Sequence, residues 1–409
     1  MSAAPERPFR LPVLVTIGVL GFASGVPLVL TQSTLFAWMH DAGVDIRTIG
    51  FFTLAQMPYT LKFLWSPLLD RFRLPFLGRR RGWILVLMLA VMVLLALVGR
   101  SDPAFHLERM ALVAVLLAFF SASVDINVDA YRTELLPPRQ LGPGTSLHIT
   151  LYRVGMLYAG AFALFLADRI PWQGVYLVMA LGLVPGVVAA FLAPEPRDHG
   201  APRTLREAAV DPFREFLRRK GALEVLAFIV LFKLGDNLCV ALNVPFLQEL
   251  GFSKTEIGLA TKMVGMACLL GGGLVGGLIM SRLSLIRALW LFGVLQMLSM
   301  SGHVALALVG KSHTLMLLTI AVENSIFSMG TVASVALIQR LCNLQSAATQ
   351  FALLTSLSAL GRVVFASPAG VLVKAMGWPA FFLTCMALAL PGLLLLRRFN
   401  AWELPEPAG

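Results

Sequence analysis

Charge is what this sequence has least of. Asp, Glu, Lys and Arg make up 13% of its 409 residues and apolar residues 58%, where a soluble domain carries about 25% charged residues. A soluble chain of this length could not hide so much apolar surface, because size fixes how much of a folded body stays exposed. Mean hydropathy is +0.81. Cysteine is scarce too. Cys239, Cys268, Cys342 and Cys385 lie in or beside apolar runs without CxxC spacing, so neither a disulfide framework nor a zinc site is supported. They read as small packing residues, and no metal or cofactor is expected. The six histidines (His40, His106, His148, His199, His303 and His313) form no HExxH or HxxxD pattern. The loops are short, whereas a membrane-embedded glycosyl or acyl transferase needs a catalytic cluster at the membrane edge. An enzyme therefore ranks below a transporter, and a non-transporting receptor ranks lower still. No small-residue cleavage site closely follows the first apolar segment, which is longer than a signal-peptide core of 7–15 residues. It reads as a retained helix.

What is present is a series of apolar runs of membrane length. Charge, Gly and Pro divide them into twelve spans: 11–39, 47–69, 83–99, 109–135, 145–168, 174–193, 221–249, 255–280, 286–309, 315–340, 348–374 and 378–396. The longest polar segment, 194–220, separates six from six. The expected organisation is an N-terminal six-helix bundle (1–193), a linker (194–220), a C-terminal bundle (221–397) and a tail (398–409). Within the linker, "TLREAAVDPFREFLRRK" (204–220) has mixed helical periodicity broken by Pro212 and a basic end. Such a segment lies along anionic membrane lipid. The glycine run "GGGLVGGL" (271–278) sits inside an apolar span with no preceding strand and no GK[ST]. It reads as close helix packing or a hinge, not a phosphate loop.

The halves repeat. "GVDIRTIG" (43–50) matches "GFSKTEIG" (251–258) at an offset of 208, and "WQGVYLVMALGLVPG" (172–186) matches "WPAFFLTCMALALPG" (378–392) at 206. Arg153 falls against Arg362 at 209. Six spans is an even number, so both copies enter the membrane in the same direction. This resembles the parallel repeat of the major facilitator architecture, which implies a binding site near the midplane where the halves meet.

The net charge of +11 does not point to nucleic acid, because the basic residues sit in short gaps between apolar runs. Of the 33 Lys and Arg, twenty-one fall on the side of the termini and linker, seven on the other side and five within spans. The positive-inside rule puts both termini and the linker in the cytoplasm.

The five cations within spans are Lys62, Arg153, Lys233, Lys262 and Arg362; the anions are Asp125, Asp129, Asp236 and Glu323. Each ionised group near the bilayer centre costs about 2.5–3.5 kcal/mol on insertion scales, so such groups turn inward and pair. Near-balance suggests one internal network lining a cavity, and the small cation surplus favours an anionic substrate. Asp125 and Asp129 share a helix face, four residues apart. Two like charges in low dielectric favour protonation of one of them. Asp125 is therefore expected to carry a proton inward, with Asp129 paired to Arg132 or Arg153. The alternative is that both are static ion pairs. Glu323 has no cation within one turn and is a second proton candidate. Asp236 either neutralises Lys233 three residues away or helps contact a ligand. Arg153 and Arg362 could clamp a carboxylate with forked hydrogen bonds, or pair structurally with Asp125 and Glu323. Gln32, Trp38, Tyr59, Trp65, Tyr152, Asn237, Asn243, Asn324 and Gln350 are polar or aromatic residues on spans. A few of these, with Gln32, Tyr152, Asn237 and Gln350 foremost, could line a sugar-binding cavity. The remainder would be interfacial or packing residues.

The cytoplasmic connection "WSPLLDRFRLPFLGRRRGW" (65–83) resembles a stretched form of the facilitator loop signature. Asp70, Arg71, Arg79, Arg80 and Arg81 are expected to make charge-assisted bonds that hold one closed conformation; otherwise the arginines only fix topology. "LGFASGVPLVL" (20–30), "YTLKFLWSPLLDR" (59–71), "GRRRGW" (78–83) and "SASVDINVDAYRTELLP" (121–137) resemble the AmpG muropeptide permeases. So do "YRVGML" (152–157), "FKLGD" (232–236), "ATQFALL" (348–354) and "LGRV" (360–363). The resemblance covers nearly the whole chain. It implies a multi-pass bacterial inner-membrane carrier that imports anhydromuropeptides from peptidoglycan with protons, for cell-wall recycling; a monomer is expected. Val124 stands where that family usually has Gln, and Asn237-Leu238 where a small or aromatic pair is usual. A related short branch imports ferric siderophores such as pyochelin, so that cargo stands second.

Overall fold

The structure is a computed structural model that describes residues 11–197, 200–366 and 369–402, with side chains throughout except at 46 and 360–366. Every regular element among the described residues is helical. Among the described residues, ten stretches are long and apolar enough to cross a membrane, where the sequence reading expects twelve. The difference arises in two places. The expected span 47–69 is not one helix but Ile46–Phe51, Phe52–Gln56, Met57–Leu61, Lys62–Leu64 and Ser66–Arg71 in succession. Pro58 and Pro67 stand in the first turns of two of these pieces. A proline tolerates that position but removes a donor from any helix running through it. The second place is the expected eleventh span, 348–374: most of it is the helix Ala347–Ala366, and residues 367–368 lie outside the described residues. Ala369–Leu395 runs through Gly377, whose φ of 76° is a left-handed turn that breaks the ladder between the expected eleventh and twelfth spans.

The chain forms two compact units. The first draws on Met1–Gln140, Leu147–Pro212 and Cys342–Ala352, the second on Leu141–Ser146, Phe213–Leu341 and Leu353–Gly409. In the first unit, Leu107–Leu135 packs against Arg79–Gly99 and Leu11–Leu30. Leu11–Leu30 also meets Leu141–Leu157 closely. A Cβ on Gly25 would collide with the Tyr152 carbonyl, and one on Gly155 with that of Phe22. Only glycine permits this crossing. In the second unit, His313–Leu341 packs on Met266–Arg282 and Leu285–Ser299, and Ala369–Leu395 on Leu234–Ala241. The glycine run of the sequence serves this packing, because a Cβ on Gly272 would strike the Ser325 backbone.

The repeat is visible in paired contacts. In the first unit Trp172 donates its indole N–H to Asp41 (3.2 Å) and stacks on Trp38 at 5.9 Å. In the second, Trp378 donates to Glu249 (2.6 Å) and its ring lies 4.9 Å from Phe246. Asp45 and Ser253, 208 residues apart, each cap the helix that follows.

Candidate functional site

Three side-chain groups carry the chemistry. The first lies in the first unit on Leu107–Leu135. Asp129 Oδ1 accepts from Arg132 at 2.8 Å and 3.1 Å, and Lys62 Nζ stands 3.8 Å from Oδ2. The proline-broken segment puts Lys62 at the start of a short turn, Lys62–Leu64. His148 Nε2 is 4.0 Å away. Of the two cations expected as partners, Arg132 is therefore the one that binds Asp129. Asp125 differs: its buried Oδ1 has no hydrogen-bond partner, and neither has the buried Oγ of Ser24. The charges that reach Asp125 are those of Lys62, Asp129 and Arg132. The phenol of Tyr59 donates to Ser121 Oγ (2.8 Å) and Trp65 Nε1 to Ser123 Oγ (3.0 Å), placing two aromatic rings beside the same helix. Tyr152 and Arg153 are half-buried on Leu141–Leu157, and Gln32 is half-buried beside Ser33–Asp41.

The second group is also in the first unit. Asp70 and Arg80 are fully buried and pair at 2.6 Å. Arg80 also holds Glu134 at 2.5 Å, and Arg79 holds the same oxygen at 2.8 Å. Asp70 Oδ2 accepts from both the backbone N–H and the hydroxyl of Thr349, at 2.8 Å and 2.7 Å, and Oδ1 accepts from the N–H of Ala348 at 3.3 Å. A carboxylate thus caps the start of Ala347–Ala366, where unsatisfied N–H groups and the helix dipole favour negative charge. The loop signature is therefore a buried ion network, and Arg79 and Arg80 belong to it. Arg71 and Arg81, expected alongside them, do other work. Arg71 donates to the Arg203 carbonyl, and Arg81 to the carbonyls of Ala190 and Phe191. Glu195 accepts the backbone N–H groups of Arg80 (2.9 Å) and Arg81 (3.2 Å).

The third group is in the second unit. Lys233 and Asp236 pair at 3.3 Å, which realises the local neutralisation weighed for them; Gln296 also donates to Asp236 Oδ2. Lys233 lies 4.3 Å over the Phe327 ring and donates to that residue's carbonyl. The partners of Glu323 come from other helices: His303 Nε2 at 3.5 Å and Cys239 Sγ at 3.6 Å.

Several expectations need correcting. Gln350 is buried, and its amide is spent on backbone: Oε1 accepts from Asn343 N–H (2.7 Å) and Nε2 donates to the Pro212 carbonyl (3.1 Å). It braces a helix start. Cys239 is more than an apolar filler, because it touches Glu323 and His303. Lys262 is exposed, on the π-helical turn Ala260–Gly265. Asn237 is half-buried. The side chain of Arg362 lies outside the described residues. Glu134, Thr349, His148, Gln296 and His303 were not singled out from the sequence. Glu134 offered one signal: it sits on the same span as Asp129, in the last turn before Pro137, facing a loop with five arginines.

Residues 13–366 match the profile of the Major Facilitator Superfamily. The chain is 46% identical over 399 residues to a protein of Escherichia coli K12 named anhydromuropeptide permease, covering 97% of this chain and 81% of that one. An uncharacterized protein of Haemophilus influenzae is 39% identical, with 92% of each covered. Among solved structures, the proton:xylose symporter XylE superposes with a TM-score of 0.68 at 11% identity, over 95% of each chain. The fucose:proton symporter FucP of E. coli also gives 0.68, at 14% identity, over 96% of this chain and 99% of that one. At such identities these two speak for the fold alone. The protein is a multi-pass membrane transporter and not an enzyme. It belongs to the major facilitator superfamily and, within it, to the AmpG-like permeases.

Proposed function

We propose that this chain imports anhydromuropeptides across the bacterial inner membrane by proton symport, with two six-helix halves alternating access to a central site. The observation that carries the cargo is 46% identity, over 97% of the chain, to a protein named anhydromuropeptide permease. A ferric siderophore, second in the sequence reading, is dropped, because the named relative at this identity points to the muropeptide.

The first unit supports the coupling step. Asp129 is committed to Arg132 and Lys62, whereas Asp125 keeps a buried oxygen without a partner. Asp125 is the proton carrier: it is loaded from the outside and emptied inside. The peptide and lactyl carboxylates of the cargo are met by Lys62 and Arg153, and its sugar by the aromatic faces of Tyr59, Trp65 and Tyr152. The Asp70–Arg80–Glu134–Arg79 network is the cytoplasmic gate. The charge-assisted bonds that hold it must break for the chain to switch. Both termini and the linker are cytoplasmic, the linker rests on lipid, and the monomer is the working unit.

The test is uptake of labelled anhydromuropeptide, with ferric pyochelin as comparator, into right-side-out vesicles under an imposed proton gradient. The muropeptide should accumulate, and a protonophore should abolish the accumulation. Absent accumulation, or accumulation indifferent to the protonophore, would reject the reading.

A further inference from the structure

Cys239, His303 and Glu323 come from three helices of the second unit, Leu234–Ala241, Ser301–Val309 and His313–Leu341. They are 0%, 1% and 7% exposed. Cys239 Sγ lies 3.7 Å from His303 Nδ1 and 3.6 Å from Glu323 Oε1, and His303 Nε2 lies 3.5 Å from Glu323 Oε2. One ligand atom from each residue falls within 4.8 Å of the other two. The transport reading gives the cluster no task.

Thiol, imidazole and carboxylate are the three ligand types of protein zinc. Zinc bonds of about 2.0–2.3 Å in a tetrahedron set neighbouring ligand atoms roughly 3.4–3.6 Å apart. The sulfur lies 3.6 Å from a carboxylate oxygen and 3.7 Å from Nδ1, close to that spacing, and with one nitrogen of His303 per ion the third separation stays within 4.8 Å. A simple hydrogen-bonded triad explains the cluster less well, because the 3.5 Å approach of His303 Nε2 to Glu323 does not make a hydrogen bond and the two sulfur contacts are 3.6 Å and 3.7 Å long. The charges also fit the surroundings. A thiolate and a carboxylate cancel a divalent cation, leaving a neutral centre where net charge would be costly. The rings of Phe246 and Phe382 flank His303 at 6.1 Å and 4.9 Å and close the cluster on the apolar side.

We propose that Cys239, His303 and Glu323 form a three-ligand site for a borderline-soft divalent transition ion of the zinc type. Binding forms three metal–ligand bonds, to sulfur, to one imidazole nitrogen and to a carboxylate oxygen. It releases the Cys239 thiol proton to solvent, because the ligand is the thiolate. The fourth position is left to water. An ion so held ties three helices of one unit together.

The test reads binding rather than uptake, so it stands or falls apart from the muropeptide reading. Chelator-stripped full-length protein in detergent is titrated with Cd2+, followed by the thiolate-to-cadmium charge-transfer band, and then competed with Zn2+. We expect one Cd2+ per chain in the wild type and in Cys268→Ser, and no band in Cys239→Ser. Glu323→Gln and His303→Asn should each weaken binding at least tenfold. Zn2+ should raise the thermal unfolding temperature of the wild type but not that of Cys239→Ser. Absence of a band in the wild type, its persistence in Cys239→Ser, or unchanged affinity in the near-isosteric Glu323→Gln would overturn the site.

Discussion

Asp125 and Asp129 stand one helical turn apart and live in different surroundings. Asp129 is held by Arg132 and Lys62; Asp125 keeps an unmatched oxygen. Asn in place of Asp125 keeps the shape and removes the titrating group. Asp125→Asn should therefore bring proton-driven accumulation down to equilibration while exchange of labelled for unlabelled substrate stays within about twofold, since exchange needs no net proton movement. Exchange lost together with accumulation would make Asp125 a cargo ligand instead. In the buried network, Glu134→Ala removes the one carboxylate oxygen that Arg79 and Arg80 share and leaves Arg80 with Asp70. Removing one partner of a buried ion pair costs about 3–5 kcal/mol, so this variant should unfold at a clearly lower temperature than the wild type. The residue-scale reading of the sequence singled out Asp125, Asp129 and Lys62 because a charge inside an apolar run announces itself, and Asp70 through the 65–83 loop signature. It passed over Glu134 and Thr349. A charge at the end of a span looks like any loop residue, and Thr349 acts through its backbone N–H and a hydroxyl that nothing in the sequence ties to Asp70.

At the scale of elements, existence was legible and continuity was not. Apolar length marks a membrane segment, yet the stretch 47–69 is broken by Pro58 and Pro67, whereas the turn at Gly377 falls between the two spans expected there. Local backbone chemistry decides those points, and an average over a window hides it. The crossing of Leu11–Leu30 with Leu141–Leu157 depends on Gly25 and Gly155. Overfilling a packed contact costs about 1–3 kcal/mol. Gly155→Val, whose side chain would push on the Phe22 backbone, should cut the yield of folded protein and lower its melting temperature. Gly258→Val, at a glycine with open space around its Cβ position, should leave both nearly unchanged. Equal losses at the two positions would refute the account of the crossing.

For the whole molecule, the duplication was legible because three aligned stretches recur at offsets of 206–209, and the paired Trp–carboxylate contacts repeat it in space. The way the units share the chain was not legible. No pattern in the sequence says that Leu141–Ser146 packs with the second unit and Cys342–Ala352 with the first. Orientation gives a further expected outcome. Single cysteines placed in the 204–220 linker should be labelled by an impermeant thiol reagent only after cells are opened, and cysteines at positions 47 and 254 in intact cells. The reverse pattern would invert the proposed topology. The shared segments also bear on how the protein could be divided. A gene split at the linker yields two polypeptides, neither of which encodes a complete unit. The first lacks Thr349 and Ala348, which satisfy Asp70. The second lacks Ser146, whose hydroxyl binds the Gly273 carbonyl. Each product would be born with an unfilled socket, so co-expression should rescue both and solitary expression neither.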